Sequence, residues 1–229
     1  MSRVARAGRG LFVTFEGGEG VGKSTQIAML DAALRDQGVA TLTTREPGGS
    51  PGAEAVRHVL LSGAAEPLGP QAEAMLFAAA RADHVDTLIR PALHDGVTVL
   101  CDRFYDSTRV YQGGSGKVSK ALLAQLEDIA VGDCRPDLTI ILDLDPAEGM
   151  SRAAARRNQA VSPDRFEKEA LDLQQRRRQA YLQIAKDEPR RCRVVDASGD
   201  VANVHNHILE VVLPEIEARG LAGKSGTKI

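Results

Sequence analysis

The stretch LFVTFEGGEGVGKST, residues 11–25, decides the fold. Its first six residues are a short apolar run rich in β-forming side chains, ended by Gly17, and read as a buried strand. From Ser24 to Gln37 the apolar residues Ile27, Leu30 and Leu34 recur at helical spacing, and Gly38 supplies a stop. Between strand and helix stand Gly17, four further residues, and Gly22-Lys23-Ser24, the spacing G-x-x-x-x-G-K-[ST]. Glycines there let successive backbone N–H groups converge on one anion. A lysine reaches the outer phosphates of a nucleoside triphosphate, and a hydroxyl ligates magnesium. Gly17, Gly18, Glu19, Gly20, Val21, Gly22, Lys23, Ser24 and Thr25 are therefore the expected triphosphate loop, with Ser24 at the metal. Glu19 is out of keeping, because it puts a carboxylate inside a loop built for phosphate.

Further along, VATLTT (residues 39–44) returns to a strand and REPGGSPG (45–52) is dense in helix and strand breakers. Helical patterns over 53–61 and from 71 to about 93 precede a third strand, GVTVLCD. DLTIILDLD (137–145) is the clearest buried strand, CRVVDAS (192–198) a weaker fifth, and 201–219 a closing helix with Ile208, Val211, Val212 and Ile216 on one side. Five apolar strands separated by helices predict an α/β fold with a five-stranded parallel sheet covered on both faces. No repeat or linker divides the chain, so residues 1–229 are expected to form one domain, with 1–9 and 221–229 disordered. The tail's GKS at 223–225 is a decoy, since Ala218 stands where the phosphate-loop pattern needs glycine.

Composition limits the classes of function. The 229 residues are 43% hydrophobic and 26% charged, ordinary for a soluble globular protein. A formal net charge of −2 argues against a generic nucleic-acid or membrane-surface binder. No apolar run approaches the ~20 residues of a membrane span, and the basic start MSRVARAGRG is followed by no apolar signal core. Cys101, Cys134 and Cys192 have no metal or redox spacing, which predicts buried, reduced thiols and a cytoplasmic location. His205 and His207, two apart, would point in different directions on a helix and make no metal pair.

The kind of triphosphate user can be narrowed. A guanine-specific switch would carry N-K-x-D, and no Asn here precedes Lys. A motor ATPase would place two acidic residues after a buried strand, whereas VTVLCDRF gives Asp102 followed by Arg103. Asp102 at a strand's C-terminal end is placed to help hold magnesium. An arginine beside it implies a second anion close to the first, hence transfer between nucleotides.

With the phosphate loop, the motifs TTREPGG (43–49), FAAAR (77–81), DRFYDSTRVYQGG (102–114) and PDLTIILDLD (136–145) appear in one order over residues 11–219. Together they resemble the thymidylate kinases, bacterial enzymes that phosphorylate dTMP. The resemblance implies a P-loop nucleoside-monophosphate-kinase fold, Mg²⁺ with ATP as donor, dTMP as acceptor, and a homodimer. Phe77 and Arg81, four apart on one helix face, would stack on thymine and hydrogen-bond a base carbonyl. Arg103 would clamp the monophosphate and act catalytically, as would Lys23, with Arg57 a second cation. Thr108 and Gln112 would meet the thymine edge, and Tyr111 would pack beside the deoxyribose. Glu19 would accept a hydrogen bond from the acceptor's 3′-hydroxyl, which answers its place in the loop. Arg45 and Glu46 would hold their loop in shape.

A positioned arginine contributes ~10³–10⁵ in rate to phosphoryl transfer, roughly 4–7 kcal/mol of barrier. The variable loop positions Gly18, Glu19, Gly20 and Val21 offer none. SRAAARRNQAVSPDRFEKE (151–169) holds several around a Pro-containing interruption and reads as a lid over about 152–166, with Arg156 and Arg165 as catalytic candidates. RRR at 176–178 is expected on the surface. Two rivals remain: another P-loop nucleotide or deoxynucleoside kinase, and a nucleotide-dependent switch that binds a partner protein.

Overall fold

A computed structural model describes residues 9–114, 118–157 and 171–222. Most of the expected lid, including Arg165, and the chain ends 1–8 and 223–229 lie outside the described residues.

Strand β1 (Phe12–Gly17) leads through the phosphate loop into α1 (Lys23–Asp36), then β2 (Thr41–Arg45) and α2 (Pro51–Ser62). A long helical rod follows: α3 (Gly69–His84), a wide π-helical turn at Val85–Ile89, and α4 (Arg90–His94). Next come β3 (Thr98–Asp102), the short α5 (Tyr105–Thr108), a second π-helical turn at Arg109–Gly113, and α6 (Lys120–Val131). The chain continues through β4 (Leu138–Asp143), α7 (Pro146–Arg157), α8 (Leu171–Asp187), β5 (Cys192–Asp196) and α9 (Val201–Arg219). The five strands form one parallel sheet in the order β2-β3-β1-β4-β5. The expected sheet is present, with each strand boundary within about two residues of its reading.

Alternation along β1 builds the two cores. Leu11, Val13 and Phe15 enter a cluster with Ile27, Leu30 and Leu34 of α1 and Val204, Ile208, Val212 and Ile216 of α9. Phe12 points the other way, into a cluster with Val85, Ile89, Leu93 and Phe104. Val211 packs only at the edge of the first cluster. Each face of the sheet is thus closed by helices, and the loops at the strands' C-terminal ends are left to form a site. Asp200 caps α9 by accepting from Asn203 N at 2.8 Å, and Gly220, at φ 64°, ends it. No described helix is long and apolar enough to cross a membrane.

One expectation fails. Of the three arginines at 176–178, Arg176 is exposed and Arg178 is 34% exposed, in a two-pronged pair with Asp143 at 2.6 and 2.9 Å, but Arg177 is buried. The reason is the packing of α8, which turns Gln174, Arg177 and Tyr181 to one inward face.

Candidate active site

A cavity of about 410 Å³ opens at the C-terminal ends of β1, β2 and β3, within the usual size of small-molecule sites. Residues 19–24 of the phosphate loop form one wall, and Phe77, Arg81, Arg103, Thr108, Tyr111 and Gln112 form the opposite one. Arg45, Glu46, Arg57, Asp102 and Ser107 are among the other residues that line it. Gly17 and Gly18 border a smaller neighbouring cleft, and Thr25, on the first turn of α1, lines neither.

The loop's shape follows from its glycines. Gly20 and Gly22 have φ of 68° and 94°, values that disfavour other residues. A Cβ on Gly20 would overlap the carbonyl oxygen of Gly149, so the loop lies directly against the α7 backbone. Glu19 reaches the cavity lining. Lys23 Nζ donates to the carbonyls of Gly18 (2.8 Å) and Gly17 (3.3 Å). Burial, and then the positive charge of Arg103, lower its pKa to about 8. Ser24 Oγ donates to Asp102 Oδ2 at 3.0 Å, which places a hydroxyl and a carboxylate side by side at the mouth of the loop. Hard oxygen donors of this kind suit magnesium, whose remaining ligands are commonly phosphate oxygens and water. Among the described residues no group of three or more His, Cys, Asp or Glu forms a self-sufficient metal cage.

Arg103 joins the two walls. It is a non-glycine residue at φ 69°, an uncommon conformation that ordered sites retain where the surroundings impose it. Its Nη1 donates to Gly17 O (3.2 Å), Ser107 Oγ (3.1 Å) and Tyr181 Oη (3.1 Å). Beneath it lies Glu16, wholly buried, which accepts from Phe104 N (2.8 Å), Ser107 N (3.3 Å) and Ser107 Oγ (2.7 Å). Burial, and then Asp106, raise the Glu16 pKa to about 7. Asp106 in turn accepts two hydrogen bonds from Arg191, at 2.7 and 2.8 Å, and fixes α5 against the sheet. The following π-helical turn directs Tyr111 and Gln112 to the cavity; such turns are frequent at functional sites.

On the far wall Phe77 is half-buried and lines the cavity, so its ring is not spent in the core. Arg81 is buried, with Nε donating to Glu46 Oε2 (2.7 Å) and Nη2 to Thr108 Oγ1 (3.0 Å). Glu46 Oε1 also meets His84 Nδ1 at 3.2 Å. Arg57 Nη1 donates to Pro47 O at 2.6 Å, and Arg45 pairs with Glu54 at 3.0 Å, so both close the loop after β2.

Residues 15–208 match the family model described as Thymidylate kinase. The chain belongs to the thymidylate kinase family. It is 58% identical over 208 residues to a thymidylate kinase of Afipia carboxidovorans, covering 91% of each chain. It is 56% identical over 208 residues to one of Bradyrhizobium diazoefficiens, covering 90% of this chain and 91% of that one. The crystal structure of thymidylate kinase from Ehrlichia chaffeensis superposes with a TM-score of 0.69 at 31% identity, over 89% of this chain and 99% of that one.

Arg156 falls at the end of α7, its side chain outside the described residues, as is Arg165. Arg152, one turn earlier, pairs with Glu148 (2.5 Å) and donates to Ala197 O (3.1 Å). In this thymidylate kinase family member several residues that build the site, Arg177, Tyr181 and Glu73 among them, belong to no motif of the sequence. Arg177 lies over the Tyr111 ring, 3.8 Å from its centroid, and Arg103 lies 5.3 Å from the same ring. Glu16, Ser107 and Tyr181 support Arg103, and Glu73 accepts from Gln112 Nε2 at 2.9 Å. The one available signal was periodicity: Gln174, Arg177 and Tyr181 lie at helical spacing on α8.

Proposed function

We infer that the chain catalyses transfer of the γ-phosphoryl group of ATP to dTMP, giving dTDP and ADP. The observation that carries this reading is that one cavity is walled on one side by the phosphate loop and on the other by Phe77, Arg81, Thr108 and Gln112. Membership in the thymidylate kinase family supports the same donor and acceptor.

In this reading the backbone N–H groups of residues 17–25 cradle the triphosphate, and Lys23 leaves the loop carbonyls to pair with its phosphates. Magnesium, held by Ser24 with the help of Asp102, offsets negative charge on the phosphates when bound. Arg103 and Arg57 hold the acceptor monophosphate facing the donor. Phe77 stacks on the base, Arg81 and Thr108 donate to its carbonyl edge, and Gln112 meets the adjacent ring nitrogen. Tyr111, itself backed by Arg177, packs beside the deoxyribose, and Glu19 accepts from its 3′-hydroxyl. A phosphate acceptor is already anionic at neutral pH, so positioning and charge neutralisation carry the catalysis without a strong general base. Arg156 and Arg165, on the lid at about 152–166, supply further positive charge as it closes and excludes water. Gly20 lies against Gly149 on α7, the helix that leads toward this segment.

The same reading places the enzyme in the cytoplasm, as one domain and as a homodimer. The buried cysteines suit a reducing compartment, and exposed Met75 on α3 and Ile129 on α6 suit a helix-faced interface. Sedimentation at micromolar concentration reads the dimer directly. The test of function is ADP release with Mg·ATP against dTMP, dUMP, dCMP, UMP, AMP and thymidine. A preference for dTMP is expected, with dUMP trailing by roughly one to two decades because one methyl separates them. A rate confined to another acceptor would overturn the assignment of the far wall.

A further inference from the structure

We propose that Glu73 is a positioning residue for base selection: by accepting from the Gln112 amide nitrogen, it turns the amide oxygen toward the cavity, where it reads a pyrimidine's N3–H. The inference rests on the far wall being the acceptor's base pocket. Glu73, Phe77 and Arg81 are spaced by four along α3 and share one helix face. Glu73 is only 6% exposed and Gln112 4%. Gln112 lines the cavity and Glu73 does not, so the carboxylate lies behind the amide as seen from the substrate.

The chemistry of the pair sets the direction of the amide. A carboxylate has acceptors only, so it takes the nitrogen end of Gln112. The hydrogen bond, 2.9 Å between Gln112 Nε2 and Glu73 Oε1, has that polarity. The oxygen end is then the one turned away from Glu73. The neighbouring groups have the opposite sense. Arg81 is a donor only, and Thr108 Oγ1 already accepts from Arg81 Nη2 at 3.0 Å, which leaves the hydroxyl hydrogen to be donated. A donor site beside an acceptor site matches a 4-oxo group beside N3–H, the edge shared by thymine and uracil. Cytosine reverses both positions, with an amino group beside a bare ring nitrogen. Sites built this way reject a mismatched edge strongly, because buried polar groups are left unpaired.

Glu73→Gln tests this with little change of shape. A glutamine at 73 can meet Gln112 with either its oxygen or its amide hydrogens, so the direction of Gln112 is no longer imposed. The measurement is kcat/KM for dTMP, dUMP and dCMP in wild type and E73Q. The dTMP-to-dCMP ratio is expected to fall at least about tenfold, while dTMP-to-dUMP stays within about twofold, since those two share the edge. An unchanged dTMP-to-dCMP ratio, or equal losses for all three, overturns the proposal; a merely structural residue gives the second result. The swap Glu73→Gln with Gln112→Glu provides an independent reading, because an amide at position 73 donating to a carboxylate at position 112 again leaves an acceptor facing the base. It is expected to regain preference for dTMP over dCMP, and a swap that folds without that preference counts against the proposal. Wild type inactive on all three nucleotides would instead defeat the pocket reading and this inference with it.

Discussion

Raising the pH from 7 to 9 should weaken ATP binding about tenfold, through Lys23 alone. In the free protein Lys23 Nζ is held by the Gly17 and Gly18 carbonyls, with Arg103 nearby, and titrates at about 8. Roughly nine-tenths of it is charged at pH 7 and about one-tenth at pH 9. A bound triphosphate favours the ammonium form, so binding above pH 8 must draw a proton from solution. With the bound pKa well above 9, the dissociation constant scales as one plus ten raised to the power pH minus about 8, near tenfold between pH 7 and 9, or about 1.4 kcal/mol. Phosphate's own last ionisation, near pH 6, is complete across this window. A fluorescent ATP analogue titrated at fixed ionic strength measures the affinity, and calorimetry in two buffers counts the protons. Near 0.9 proton taken up at pH 9, against about 0.1 at pH 7, is the expected result. Constant affinity with no proton uptake from pH 7 to 9 would refute the reasoning. The stability of the free protein carries the matching sign. A lowered lysine pKa contributes stability above the unfolded value near 10.5, and that contribution is lost as pH falls through about 8.

Three further outcomes follow from the same geometry. Glu16, raised from 4.5 to about 7, contributes stability that is full below pH 4.5 and lost as pH rises through about 7, a ceiling of about 3 kcal/mol; urea midpoints between pH 5 and 8 should therefore vary less in Glu16→Gln than in wild type, and an identical pH dependence would contradict the raised pKa. Gly20→Ala must push its Cβ against the Gly149 backbone, whereas Gly69→Ala meets open space at a comparable positive φ. The first should lower the melting temperature by at least ~3 °C more than the second, and equal shifts would deny the clash. Cys101, Cys134 and Cys192 are buried, with thiol pKa values raised chiefly by burial, that of Cys192 to about 12. Ellman's reagent should modify none of them in minutes in the native protein and all three in denaturant, and a fast native thiol would show the burial to be wrong.

What the sequence made legible was local. The phosphate loop sits between a strand and a helix that hydrophobic period alone identifies, and Asp102 ends a strand recognisable from its own residues. Phe77 and Arg81 stood out through the resemblance of FAAAR to the thymidylate kinase motif, and their spacing of four residues on a helix agrees with it by putting both on one face. What remained hidden was the set of partners. Arg81 with Glu46, Gln112 with Glu73 and Ser107 with Glu16 are separated by 35, 39 and 91 residues, so no window of sequence holds both members. Arg177 was misplaced for a related reason, since a run of arginines looks solvated until the helix's packing turns one of them inward. The positive φ of Arg103 has no sequence signal either, because glycine is the residue usually chosen for that conformation.

The central claim is that the cavity brings a donor triphosphate and an acceptor monophosphate together for direct transfer. It is tested most directly by following the label of γ-labelled ATP with enzyme and Mg²⁺, with and without dTMP, and resolving the products. Direct transfer predicts label in dTDP, one equivalent of ADP for each dTDP, and almost no free phosphate in either reaction. Label released as inorganic phosphate at the same rate whether or not dTMP is present would contradict it, and would favour a nucleotide-hydrolysing switch.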